Sequence, residues 1–149
     1  MDIKTPLQRS ENMSRIRSKN TSPEKFIRHQ LFIRGFRYRD NAKNVPGHPD
    51  IYLPKYHTVI FVNGCFWHHH SNCKYAYVPK TNVDFWTNKF QVNVSRDIEV
   101  KEAVLSAGLK YAVIWECAIK KMWSSAEFNS EKMEDLCEFI KSEKHSIEI

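Results

Sequence analysis

The residues Thr58-Val59-Ile60-Phe61-Val62 form an unbroken, β-rich run with no charged position to mark a solvated face. A strand that is apolar on both sides must be covered on both, so it belongs in the middle of a sheet with helices packed above and below. Tyr111-Ala112-Val113-Ile114-Trp115 repeats the pattern. A chain of 149 residues has room for one such core and not for two. The two runs therefore set the centre of a single α/β domain.

The remaining elements arrange themselves around that centre. Residues 1–20 are polar and basic with few core anchors, which predicts a basic N-terminal arm ahead of a folded domain over 21–149. A helix is expected to start with Ser22 as N-cap, Pro23 at its first position and Glu24 at the positive end of its dipole. Phe26, Ile27, Leu31 and Phe32 give it an apolar face, and Gly35 stops it. Phe36-Arg37-Tyr38-Arg39 alternates aromatic and charged side chains, as a half-buried strand does. Residues 41–49 read as a loop, and Asp50-Ile51-Tyr52-Leu53 as a second strand. A long helix is predicted over 82–107, stopped by Gly108, and Ser130 is expected to cap a last helix bearing Met133, Leu136, Cys137 and Ile140. The expected order is αβββαβα, a mixed sheet with helices on its faces, with no internal repeat or low-complexity segment.

Charge is unevenly placed. Residues 1–40 carry ten Lys or Arg against four Asp or Glu, whereas residues 116–149 carry five against eight. A basic front and a mildly acidic tail suit a protein whose N-terminal half meets a polyanion. No apolar run approaches the roughly 18 residues of a membrane span, and the start of the chain lacks a secretory signal, so a cytoplasmic protein without a membrane partner is expected.

Beyond the central run, Cys65-Phe66-Trp67-His68-His69-His70-Ser71-Asn72-Cys73 offers two thiols and three imidazoles within nine residues. A tetrahedral zinc ion needs four such ligands, commonly a local cluster plus one from farther along the chain. Cys117 lies just past the second apolar run; if the two runs are neighbours in the sheet, their ends emerge at the same edge. The set Cys65, His70, Cys73 and Cys117 follows, although spacing alone leaves His69 also within reach. Cys137, on the apolar face of the last helix, reads as a buried cysteine without a ligand role.

Pro49-Asp50 at the start of a strand resembles the metal-binding aspartate of the PD-(D/E)XK nucleases, in a matching order of elements and with Glu24 on the preceding helix. The acid-x-lysine triplet of that class is missing, because the third strand ends Val62-Asn63-Gly64. Phosphodiester cleavage still requires a metal to take up charge and a base to activate water. Asp50 with a strand carbonyl can serve the metal. An imidazole from residues 68–70 suits the base, and Asp97 on the long helix can orient it.

Taken together, Val59-Ile60-Phe61 running into Gly64-Cys65-Phe66-Trp67-His68-His69-His70, then Phe85-Trp86 and Val113-Ile114-Trp115-Glu116-Cys117-Ala118, resemble the very short patch repair endonucleases. Arg9-Ser10, Asn12-Met13 and Pro46-Gly47-His48-Pro49-Asp50 match the same pattern, so the similarity spans about residues 8–120. The resemblance implies a restriction-endonuclease-like fold and a nick 5′ to the thymine of a T:G mismatch left by deamination of 5-methylcytosine. It implies catalytic Mg²⁺ on Asp50 and the Val62 carbonyl, with His68 as base and Glu24 and Asp97 supporting the metal–water network. It implies structural Zn²⁺ on Cys65, His70, Cys73 and Cys117. Phe66, Trp67 and Trp86 would form an aromatic wedge at the mismatch, with Met13 entering from the other side.

The implied partners are double-stranded DNA containing a T:G mismatch, a cytosine-5 DNA methyltransferase and repair proteins. One active site suffices for a strand-specific nick, so a monomer is expected. Two departures from the family pattern stand out. Asn63 occupies a position where many members carry His or Asp, and the interval from His70 to Cys73 is one residue longer than in the form best known. Two other readings fit the same residues: a restriction-type endonuclease acting on unmismatched DNA, and a non-catalytic zinc module that binds DNA.

Overall fold

A computed structural model describes residues 20–149. Apart from Asn20, the expected arm, with Met13, lies outside these residues. The elements run α1 (Ser22–Ile33), β1 (Arg39–Asp40), β2 (Ile51–Leu53), a 3₁₀ turn (Pro54–Tyr56), β3 (Thr58–Asn63), α2 (Val83–Ser106), β4 (Lys110–Trp115), α3 (Glu116–Ser124), α4 (Ala126–Lys141) and β5 (Ser146–Glu148). The five strands form one sheet in the order β1-β2-β3-β4-β5. The β1–β2 and β2–β3 pairs are antiparallel, and the β3–β4 and β4–β5 pairs are parallel.

The central position expected for residues 58–62 holds, and the two faces of β3 show why its sequence is apolar throughout. On one face Ile51, Leu53, Ile60, Ala112 and Ile114 pack against Ile27 and Leu31 of α1, Ile119 and Met122 of α3, and Met133, Leu136, Phe139 and Ile140 of α4. On the other, Val59, Tyr111, Val113 and Trp115 pack against Val104 of α2, with Cys65 in the same cluster. Alternation along β3 and β4 thus feeds two hydrophobic layers, and α2 with the loop through Val45 covers the second. The Pro46-Gly47 turn is pressed onto this layer: Gly47 has φ +79, and a Cβ there would collide with Val100 and press on Phe61.

Several boundaries differ from the sequence expectation, each for a local reason. Thr21, not Ser22, is the N-cap of α1; its Oγ1 accepts the Glu24 N–H at 3.4 Å, and Pro23 falls one position inside the helix. The expected strand over residues 36–39 shrinks to Arg39–Asp40. Phe36 instead closes α1: Gly35 takes φ +91, and the Phe36 N–H donates to Leu31 O at 3.1 Å. Its ring then packs into the core against Tyr56, 5.5 Å between centroids. The aromatic–charged alternation is the hydrophobic contact of a helix C-terminus rather than a pleat. Ser125, not Ser130, caps the last helix, accepting the Phe128 N–H at 3.2 Å. Two elements absent from the expected αβββαβα order are α3, which starts with no loop after β4, and the three-residue β5.

Among the described residues no helix is long and apolar enough to cross a membrane. Lys110 ties the sheet to α4: its Nζ donates to the carbonyls of Phe139, Ile140 (2.8 Å) and Ser142 (2.7 Å). These carbonyls lie at the end of α4, where acceptors run short of helical partners, and burial lowers the pKa of the lysine that serves them. Lys110→Met keeps the aliphatic stem and removes the donor, so it is expected to destabilise the fold by roughly 1–3 kcal/mol. Urea unfolding checks this; a midpoint equal to that of the parent chain would show that water replaces the ammonium without cost.

Candidate functional site

The register of β3 against β4 pairs Asn63 with Trp115, so the residues after each strand leave the sheet side by side. Cys65 and Cys117 meet there, with the Cys117 N–H 3.3 Å from Cys65 Sγ. The chain after β3 curls back on itself, the His68 N–H donating to Gly64 O at 3.1 Å and the His70 N–H to Cys65 O at 2.9 Å. This turn brings His70 Nδ1 to 3.6 Å from Cys65 Sγ and 3.5 Å from Cys117 Sγ. Cys73 completes a group whose four ligand atoms all lie within 4.8 Å of one another. A tetrahedral ion with N and S ligands wants those atoms roughly 3.3–3.8 Å apart, so the donor set fits a zinc-type ion with slight closure.

Two stacking contacts sort the histidines that spacing left open. His70 lies flat on Trp115, 3.9 Å between centroids and 7° between planes, which fixes its ring toward the sulfurs. His69 turns the other way onto Phe90 at 4.6 Å and 18°, with its Nδ1 buried and unpartnered. Burial pushes the Cys65 thiol up to about 12, and the adjoining Cys117 and Cys73 sulfurs push the same way. Burial likewise raises Cys117. A cation among them would offset this and favour the thiolates of Cys65 and Cys117. Cys137 stays apart on α4, packed against the core.

The second group forms where α1 meets β2 and β3. Asp50 Oδ2 accepts the Val62 N–H at 2.7 Å, which aims the carboxylate along the end of β3. The main-chain oxygen of Asp50 accepts from Arg28 Nη2 at 3.1 Å, and the same nitrogen donates to Glu24 Oε2 at 3.2 Å. Asn20 closes the network: its N–H donates to Glu24 Oε2 at 2.8 Å, and its Oδ1 accepts from Arg28 Nη1 at 2.9 Å. Glu24 and Arg28 are only 3% and 6% exposed. Burial raises Asp50 to about 6 and Glu24 adds to the rise, while the Val62 N–H, Arg28 and His68 pull it down. Two carboxylates confined together with one guanidinium favour an added cation.

His68 stands on the turn between the two groups. Its Nδ1 is 2.7 Å from Asp97 Oδ2 of α2, both side chains about one-third exposed. With Nδ1 committed to the carboxylate, Nε2 is the nitrogen free to exchange protons with solvent. A cleft of about 340 Å³ between α2 and the β4–β5 edge reaches this pair. Asn63, buried at the end of β3, lines the same cleft.

Phe66 is the hub of an aromatic cluster, with ring centroids 5.2 Å from Trp67, 5.4 Å from Trp86 and 5.1 Å from Phe90. The three expected wedge residues therefore touch one another, Trp67 and Trp86 at 6.0 Å. Asn93 Nδ2 donates to Trp67 O at 2.8 Å and pins the turn to α2. Sequence reasoning passed over Arg28, Asn20, Asn93 and the stacking role of Trp115. Only Arg28 carried a readable signal, since it falls four residues after Glu24 on one helix face.

Comparison with known proteins yields a consistent set of similarities. A family model described as DNA mismatch endonuclease Vsr matches residues 1–74. The type II nicking enzyme V.NmeAIP of Neisseria meningitidis is 48% identical over 119 residues, 80% of this chain and 84% of that one. The type II nicking enzyme V.XorIIP of Xanthomonas oryzae pv. oryzae is 40% identical over 121 residues, 81% and 88% of the two chains. The DNA mismatch endonuclease Vsr of Escherichia coli is 36% identical over 119 residues, 80% and 76%.

The raised Asp50 pKa has a stability consequence of definite sign. A carboxyl that titrates near 6 in the folded chain, against 3.8 when free, opposes folding once it is charged. The penalty is complete above about pH 6 and fades as the pH falls toward the unperturbed value. Asp50→Asn keeps an acceptor for the Val62 N–H, so in divalent-free buffer at pH 7.5 it is expected to stabilise the fold by roughly 1–3 kcal/mol. The gain should shrink steadily between pH 6 and 4. Denaturation curves across that range check it, and a variant no more stable than the parent at pH 7.5 would refute the electrostatic account.

Proposed function

Because this chain belongs to the Vsr family of DNA mismatch endonucleases, we propose that it nicks one strand of duplex DNA on the 5′ side of the thymine in a T:G mismatch. Such mismatches arise when 5-methylcytosine deaminates. The observation that carries the reading is the short His68–Asp97 contact beside the Asp50–Glu24–Arg28 group, a base and an acidic pocket side by side at one end of the sheet.

Asp50, with the Val62 carbonyl, would hold Mg²⁺, and Cys65, His70, Cys73 and Cys117 would hold Zn²⁺. When bound, Mg²⁺ supplies Lewis-acid stabilisation of charge on the scissile phosphate. The chain's own groups do the rest. Asp97 accepts the Nδ1 proton of His68 and so holds the tautomer in which Nε2 is basic. His68 Nε2 takes a proton from the attacking water. Glu24, held by Arg28 and the Asn20 N–H, keeps a fixed acceptor facing the same water network. The four-ligand cluster fixes the turn that carries His68, which is a positioning task and not a chemical one.

Phe66, Trp67 and Trp86 would enter the base stack beside the mismatch, where unstacking costs least and flat side chains replace part of the lost contact. A monomer is sufficient, since one strand is cut. On this reading the chain works in functional relation to a cytosine-5 methyltransferase and to repair proteins.

A strand-labelled cleavage assay with Mg²⁺, on duplexes differing only by T:G against C:G, tests this directly. A single nick 5′ to the mismatched thymine is expected. Asp50→Ala and His68→Ala should each lower the rate at least 10³-fold with zinc content unchanged, and Asp97→Asn should lower it less, on the order of 10²-fold. Equal cutting of both duplexes would discard the mismatch role, and retained cutting in both alanine variants would discard the mechanism.

A further inference from the structure

Between the last cluster cysteine, Cys73, and the start of α2, residues 74–80 run along the surface and carry side chains that neither the metal cluster nor the nick requires. Tyr77 is 61% exposed, yet its ring lies 5.2 Å from Phe66 and so continues the aromatic cluster outward. Tyr75 and Val78 are exposed as well. Exposed aromatic and aliphatic side chains gathered on one short loop mark a contact surface.

The charge on the loop says what kind. Two ammonium groups lie over the Tyr75 ring: Lys74 at 5.1 Å and Lys120, from α3, at 4.6 Å. Residues 71–83 contain Lys74 and Lys80 and no Asp or Glu. Lys120 has Glu116 at 3.5 Å, but both side chains remain substantially exposed. Cations flanking an exposed ring meet both needs of a nucleic acid, phosphate neutralisation and a flat face for sugar or base. An acidic or apolar protein surface would use one of these and not the other.

We propose that residues 74–80, with Lys120 of α3, form a second DNA-contact surface that grips the backbone of the duplex beside the aromatic cluster, Tyr77 extending that cluster and Lys74 and Lys120 holding phosphate. This rests on the reading above that the chain engages duplex DNA, and it concerns affinity for the duplex rather than recognition of the mismatch. Because Cys73 anchors one end of the loop, the metal cluster fixes where the surface stands.

The test is fluorescence anisotropy with the full chain on a labelled C:G duplex and the matching T:G duplex, titrated from 50 to 200 mM salt as a set range. The double variant Lys74→Ala/Lys120→Ala should reduce the salt slope by about 1–2 and weaken both duplexes by a similar factor, roughly tenfold. Its single-turnover nicking rate at saturating protein should be unchanged. Tyr77→Ala should weaken binding by roughly five- to 100-fold, with Tyr77→Phe restoring it. Lys132→Ala/Lys144→Ala, which removes the same charge from α4 and the segment after it, serves as the control.

A Lys74/Lys120 variant whose slope and affinity match the control would overturn the proposal, as would a loss confined to the nicking rate or to the T:G duplex. The two readings fail separately. Salt-dependent binding that depends on this loop, in a chain that never nicks the T:G duplex, would keep the surface and discard the proposed function.

Discussion

The parallel pairing of β3 with β4 is the constraint on which the rest depends. The two strands run from Thr58 opposite Lys110 to Asn63 opposite Trp115 without a break. Because they point the same way, both strand ends open at one edge, and Cys65 and Cys117 arrive there from positions 52 residues apart in the chain. A slip of one residue would turn the apolar side chains of β4 to the wrong layers and carry Cys117 off the cluster. The double-layer burial of Ile60, Ala112 and Ile114 on one face and Val59, Tyr111 and Val113 on the other opposes any such slip.

The same edge divides its work between two kinds of group. The sulfur and imidazole set gathers around the fully buried Cys65, with His70, Cys73 and Cys117 half-buried about it, while His68 and Asp97 keep about one-third of their surface open to solvent. Only four residues separate Cys65 from His70, and the turn they make carries Phe66, Trp67 and His68. Rigidity at the cluster is thereby passed to both His68 and the aromatic side chains. Arg28 does the equivalent for the acidic pocket, joining Glu24 on the helix to the backbone of Asp50 at the strand.

Much of this was legible in the sequence, and the reasons for the rest are physical. Residues 58–62 and 111–115 announced central strands because burial on both faces leaves no polar position. The gathering of Cys65, Cys73 and Cys117 around a histidine was legible because thiols and imidazoles at short intervals have few other uses. The choice between His69 and His70 was not, since it is made by stacking on Phe90 and Trp115, partners distant in the chain. Phe36 misled because a helix-terminating contact and a half-buried strand share one local pattern. The helix α3 gave no start signal, because Trp115 serves as both the last residue of β4 and the N-cap. Arg28 was legible only as a helical partner of Glu24, and its bond to the Asp50 carbonyl, like the part played by Asn20, is recognisable only once α1 and β2 stand against each other.

The strand β5 gives the molecule a temporal order. Trp115, which holds His70 flat, receives its own support from the far end of the chain: its N–H donates to Ile149 O at 2.9 Å, and its indole N–H donates to the carboxylate of Glu148. Synthesis reaches the aspartate, the histidines and all three cluster cysteines some thirty residues before it reaches that support. A growing chain thus holds Asp50, the histidines and the cluster cysteines while the wall behind His70 is still unbuilt, and that wall is complete only once residues 148 and 149 have joined it.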